Sequence, residues 1–187
     1  MRTLCTDAER DEAAALVQDR QRWLTMRGLP VTARADVPAL VRNPHAKLAG
    51  LFEDGLLLAC MIPQHAPDLG WGQGSCLFLS CIHTLPDRSD DIIQLITLWA
   101  SDFAARCELP VVRAEALARQ PFDDDPIAPF LRRLTDMGWD VRGSGTGQHE
   151  ERVARLELIA EQRSGLSALI ACRVHEPQSA TGSRSIA

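Results

Sequence analysis

The chain has no tyrosine. Any chemistry that needs a phenol as acid or base is therefore excluded within it. Its cysteines, Cys5, Cys60, Cys76, Cys81, Cys107 and Cys172, show no CxxC and no paired spacing. That scatter argues against a zinc site or a disulfide framework and for buried free thiols. The histidines are equally dispersed, so no metal constellation is expected. Basic residues are not clustered, and the net charge is −5. A nucleic-acid surface is not expected on that charge. No apolar run is long enough to cross a membrane, so no membrane partner is expected. The opening "MRTLCTDAERDE" lacks the apolar stretch of a secretion signal, which leads to the expectation of a cytoplasmic protein.

What is present suits one soluble domain. The 187 residues are 45% apolar and 24% charged, enough for a sizeable core. We expect a single domain over residues 1–174 and a polar, disordered tail over 175–187. Residues 8–27 read as an amphipathic helix with Leu16, Trp23 and Leu24 on one stripe and Gly28 as its stop. Residues 35–42 suggest a short second helix, with Asp36 as cap and Pro38 in its first turn. "KLAGLFEDGLLLACMI", 47–62, reads as a hairpin turning at Asp54-Gly55.

"CLFLSCIHT", 76–84, reads as a buried strand. A helix from about Asp90 to Cys107 follows, with Ile92, Ile96, Trp99 and Phe103 on one face and Ile93 and Leu95 widening it. "LPVVRAEAL", 109–117, is a second buried strand, so the three form a βαβ unit with parallel strands. A further helix is capped by Asp125, carries Pro126 at its first position and ends at Gly138. A final strand pair follows, with the glycine-rich 143–147 as its connection. The sum is an α/β (α+β) domain: a mixed, mainly antiparallel sheet with helices on both faces.

This order of elements resembles the GCN5-related N-acetyltransferase (GNAT) superfamily from about Asp11 to Glu161. "LFEDGLLLACMIP" looks like the family's second and third strands. The stretch 76–115 is similar to its strand–loop–helix–strand core, and "PFLRRLTDMGW" to its fourth helix and closing Gly-aromatic pair. The resemblance implies acetyl-CoA lying in a V between the fourth and fifth strands. Its pyrophosphate would meet the N–H groups that open the third helix, where orphan donors and the helix dipole favour anions. The implied cofactor-binding residues are Ile82, His83, Thr84, Arg88, Ser89, Asp90, Asp91, Ile92 and Ile93. The family motif, Arg/Gln-x-x-Gly-x-Gly/Ala, falls on Arg88 to Ile93. Arg88 matches it, but Asp91 and Ile93 occupy the glycine positions.

That departure carries a penalty. Two unit charges about 5 Å apart at an effective dielectric near 20 repel by roughly 3 kcal/mol. The other reading of the segment is that Ser89 or Asp90 caps the helix and Asp91 complements its dipole. The position of the tyrosine that many members use as acid toward the leaving thiolate is Leu134, which cannot donate a proton.

Two residues are candidate bases. His83 ends the fourth strand, and its alternative role is a histidine hydrogen-bonded at a strand end. Glu115 ends the fifth strand, and its alternative is an ion pair with Arg113 or Arg119. Cys81 as an acyl-carrying nucleophile is the weaker option. Trp71, in the loop before the fourth strand, is either a substrate wall or a packing residue. The run Asp123–Asp125 reads as a solvated helix start.

Three functions follow. The first is an N-acetyltransferase moving an acyl group from acetyl-CoA to an amine of a small molecule or peptide, with a homodimer as a possible assembly. The second is a degenerate relative with impaired CoA binding, serving as a small-ligand-binding or dimerisation module. The third is changed chemistry in the same cleft, using His83 or Glu115 without CoA.

Overall fold

A computed structural model describes residues 1–31, 37–66, 68–119, 125–147, 150–166, 170–171 and 173–174. The expected cap Asp36, the residues Asp123 and Cys172, and the tail 175–187 lie outside the described residues.

The chain begins with a two-residue strand, β1 (Arg2–Thr3), that the sequence pattern did not reveal. Helix α1 (Asp7–Met26) starts at a capping box. The Thr6 hydroxyl accepts from the Glu9 N–H, and the Glu9 carboxylate accepts from the Thr6 N–H. That backbone bond, with help from Arg2, holds the Glu9 carboxyl down at about 2. Helix α2 (Val37–Arg42) is short. Strands β2 (Ala49–Glu53) and β3 (Leu56–Ala66) form the expected hairpin. Asp54 and Gly55 both take positive φ, the requirement of the tight two-residue turn that matches strand twist.

Strand β4 (Cys76–Thr84) passes through a 3-10 turn (Pro86–Arg88) into helix α3 (Ser89–Arg106), then strand β5 (Val111–Leu117). Helix α4 (Ala128–Asp136) begins later than the sequence suggested. Asp125 holds the turn before it, accepting from the Arg119 and Ile127 N–H groups, and Pro126 sits in that turn. Strand β6 (Asp140–Thr146), bulged between Val141 and Ser144, takes up all but Gly147 of the stretch read as a connection, and β7 (Arg152–Ile159) returns beside it.

The seven strands lie in the order β1-β2-β3-β4-β5-β7-β6. Every neighbouring pair is antiparallel except β4–β5, which is parallel as the βαβ reading requires. Helices α3 and α4 cover one face. There Ile92, Ile96, Trp99 and Phe103 pack with Leu77, Leu79, Val112 and Leu156. Helices α1 and α2 cover the other face over β2–β4, with Leu16, Val17, Val37 and Val41 against Leu57, Cys60 and Ile62. Cys60 and Cys76 are buried, Cys81 and Cys107 are half-buried and Cys5 is exposed; all five are free thiols. Among the described residues no helix is long and apolar enough to cross a membrane, and no cluster of side chains suits a metal ion.

Trp99 anchors this core. It is 1% exposed, stacks on Phe103 at 5.0 Å between centroids, and faces the sheet. Trp99→Ala should destabilise the domain by about 3–5 kcal/mol in urea denaturation, the range for large aromatic truncations in a closed core.

Candidate functional site

Strands β4 and β5 pair over only three residues, Leu77↔Val112, Phe78↔Arg113 and Leu79↔Ala114. Beyond that point each keeps its outer partner and loses the inner one. β4 stays on β3 as far as Ala59↔Thr84, and β5 stays on β7 as far as Leu117↔Val153. A bulge accompanies the parting. Cys60 and Ile62 on β3 face His83 and Ser80 on β4, so β4 carries an extra residue there. Cys81 absorbs it with φ +52°. The gap is part of a cleft of about 1340 Å³ that also reaches α1, α2, α3 and α4; in the gap Cys81, Ile82, His83 and Thr84 line one side and Glu115, Ala116 and Leu117 the other.

One end of the cleft meets the first turn of α3. Ser89 is its first helical residue, and no side chain caps it. The Ser89 hydroxyl instead lies against the carbonyls of Leu85 and Pro86 and accepts a hydrogen bond from Arg20 at 2.7 Å. The capping role expected of Ser89 or Asp90 is therefore not realised. The helix follows a 3-10 turn directly, which removes the extended residue that a side-chain cap needs.

Cations and anions pair around this turn. Arg88 pairs with Glu53 rather than facing the cleft alone. Arg133 of α4 reaches Asp90 at 3.2 Å. Arg20 stacks over Trp23 at 4.5 Å; burial works against its charge, and Asp90 offsets part of that. Asp91 is exposed at the mouth. Ile93 and Asp91 line the cleft, whereas the Ile92 side chain is fully buried in the core, leaving only its main chain at the turn.

His83 is mostly buried in the cleft wall, and its Nδ1 has no hydrogen-bond partner among the described residues. Burial, reinforced by the Arg20 charge, pushes its imidazole down to about 4. It is uncharged at neutral pH. Leu134, at the expected tyrosine position, is buried and also borders the cleft.

At the other end Glu115 accepts a hydrogen bond from the Trp71 indole at 2.9 Å. Neither Arg113 nor Arg119 pairs with it. Arg113 pairs with Glu157 at 2.8 Å and donates to the carbonyls of Gln73 and Gly74, pinning the loop that carries Trp71. Arg119 instead donates to the carbonyls of Gly28 and Leu29. Trp71 is thus packed rather than part of the cleft wall: it lies buried, with its indole on a carboxylate that borders the cleft.

Sequence reasoning missed Arg20 and Arg133. Each is an ordinary surface-type residue by pattern, and only the tertiary structure brings it to the cleft.

His83 gives a pH signature. Between pH 6.5 and about 4 the unfolded chain holds a proton on this residue that the folded chain does not. Stability is unaffected above 6.5 and falls as pH drops, by about 1.4 kcal/mol per unit and roughly 3 kcal/mol in all. In urea denaturation at pH 7 and 4.5, His83→Gln should lose about 2 kcal/mol less than the parent over the same interval.

No protein-family model matches the chain, and no curated protein matches its sequence. Solved structures do match its fold. An aminoglycoside 6'-N-acetyltransferase complexed with coenzyme A is 10% identical, with 87% of this chain and 99% of that one covered at a TM-score of 0.54. The aminoglycoside 6'-N-acetyltransferase from Enterococcus faecium is 11% identical, with 84% and 94% covered at 0.54. The GphF GNAT-like decarboxylase in complex with isobutyryl-CoA is 14% identical, with 86% and 98% covered at 0.57. With its seven-stranded mixed sheet and its parting β4 and β5, this chain has the GNAT fold.

Proposed function

We propose that the chain is an acyl-CoA-dependent N-acetyltransferase acting on an amine of a small molecule or peptide. The observation that carries the reading is the end of β4–β5 pairing at Leu79–Ala114, which leaves strand backbone facing a cleft of about 1340 Å³. Neighbours of this fold include CoA complexes and acetyltransferases. The cleft fits an extended acyl-CoA arm: Ile82, His83 and Thr84 supply the wall, and Ser89 to Ile93 the turn beside the phosphates. When bound, acetyl-CoA supplies an activated acyl group.

The chain's own residues do the rest. Glu115, held by the Trp71 indole, takes the proton from the acceptor's ammonium. His83, kept neutral, offers a polar group on the opposite wall. Leu134 donates nothing, so departure of the thiolate goes unassisted from that position. Arg20, Arg88 and Arg133 meet the phosphates by exchanging their present partners.

The paired mouth favours a second reading. Arg88 and Arg133 are already engaged by Glu53 and Asp90, and Asp91 adds a further negative charge. A degenerate binding module would look the same there.

Calorimetry with acetyl-CoA separates the two. Exposure of Asp91 lets water screen its repulsion to about 1 kcal/mol, so the parent should bind and Asp91→Gly should bind roughly fivefold tighter. S-acetylpantetheine, which lacks the pyrophosphate, should bind both equally. Binding only by the variant selects the degenerate module, and binding by neither rejects the acyltransferase.

A further inference from the structure

Two arginines among the described residues are fully buried, and both are well partnered. Arg10 donates to the carbonyls of Leu4, Val41, Asn43, Pro44 and Ala46. Arg113 has Glu157 and two carbonyls. Arg155 of β7 is half-buried, its Nε is shut away from solvent without a partner, and its guanidinium makes no hydrogen bond or ion pair among the described residues. A shielded cationic donor left unpaired is unfavourable.

Its surroundings are built around it. Arg155 stands directly opposite Glu115 in the β5–β7 register, on the same sheet face. Arg113 and Glu157 form the next such pair and are joined; Arg155 and Glu115 are not. Glu115 accepts from the Trp71 indole, and the same ring has the Arg155 guanidinium 5.5 Å from its centroid. Gly145 of β6 leaves the room: a Cβ there would collide with the Arg155 guanidinium. Part of the glycine-rich stretch 143–147 is thus the seat of this side chain.

An unpaired fork beside a carboxylate is complementary to a molecule carrying both charges. The fork matches the two oxygens of a carboxylate. Glu115 and Glu157 nearby disfavour a doubly charged phosphate. Glu115 also borders the cleft, so an amine on Glu115 would sit at the cleft and the carboxylate away from it. We propose that Arg155, with Trp71 and Glu115, forms a carboxylate subsite, and that the acceptor is an amino-acid-type compound with its amine and carboxylate close together. The choice of which group is acylated rests on the acyltransferase reading; the subsite itself does not.

The test is binding to the full chain, by tryptophan fluorescence and calorimetry. Each proteinogenic amino acid is compared with its carboxamide, with and without acetyl-CoA. At least one acid should bind ten- to a hundredfold tighter than its amide, the range for a charge-assisted pair. Arg155→Met should bring that ratio close to one, and Arg155→Lys, which keeps the charge but not the fork, should retain part of it. Both variants should keep the parent's acetyl-CoA affinity. The subsite is overturned if no amino acid binds, if acids and amides bind alike, or if Arg155→Met keeps the preference, which would mark a solvated arginine that only buttresses Trp71. An acid preference without acetyl-CoA binding would sink the acyltransferase reading and leave the subsite standing.

Discussion

The parting of β4 and β5 is the constraint on which the rest of the site depends. A parallel pair held along its whole length would bury its backbone groups in ladder bonds and leave no opening. Here the ladder stops after Leu79–Ala114, while β3 and β7 hold the two strands apart from outside. The bulge at Cys81 supports this divergence, since an extra residue bends and twists the strand that carries it. Backbone facing the gap is a template for an extended ligand with amide groups of its own. The core under α3 supplies the rigidity, because the buried face running from Ile92 to Phe103 fixes the helix against both strands below the gap.

Charge is organised differently at the two ends of the cleft. At the α3 end the cations are balanced by Glu53, Asp90 and Asp91, so an anion arriving there would have to exchange partners rather than meet free charge. Surface pairs of this kind are individually weak, which makes the exchange inexpensive. At the Glu115 end the arginine–carboxylate pairs are more shielded. Burial tends to raise the Glu157 carboxyl, and the hydrogen bonds from Arg113 and Arg142 outweigh it and hold it below the usual range. That pinned pair fixes the loop of Trp71 and leaves Arg155 as the unsatisfied member of the group.

Much of the fold was legible because local chemistry and long-range packing agree. Asp54-Gly55 needs positive φ at both positions and takes it. The period of Ile92, Ile96, Trp99 and Phe103 points to one buried face, and all four are buried. Where the pattern misled, a tertiary demand overrode it. The stretch 143–147 reads as a turn, yet its first four residues extend as β6, and the missing side chain at Gly145 leaves room for an arginine on the neighbouring strand. Asp125 reads as a helix cap, but it is needed one turn earlier to hold the Arg119 N–H. Of the site, His83, Thr84 and Glu115 were visible as strand ends and do line one cleft. Arg20 was not, because its role depends on α1 meeting the turn that opens α3, which no local spacing encodes.

The central claim is that the gap between β4 and β5 receives an acyl-CoA along the freed backbone of β4. Amide chemical-shift mapping during an acetyl-CoA titration tests it most directly. The account predicts the largest changes at Ile82 to Thr84 and at the opening turn of α3, with the paired segment Leu77–Leu79 little affected. Shifts confined to other surfaces, or none at saturating acetyl-CoA, would contradict it.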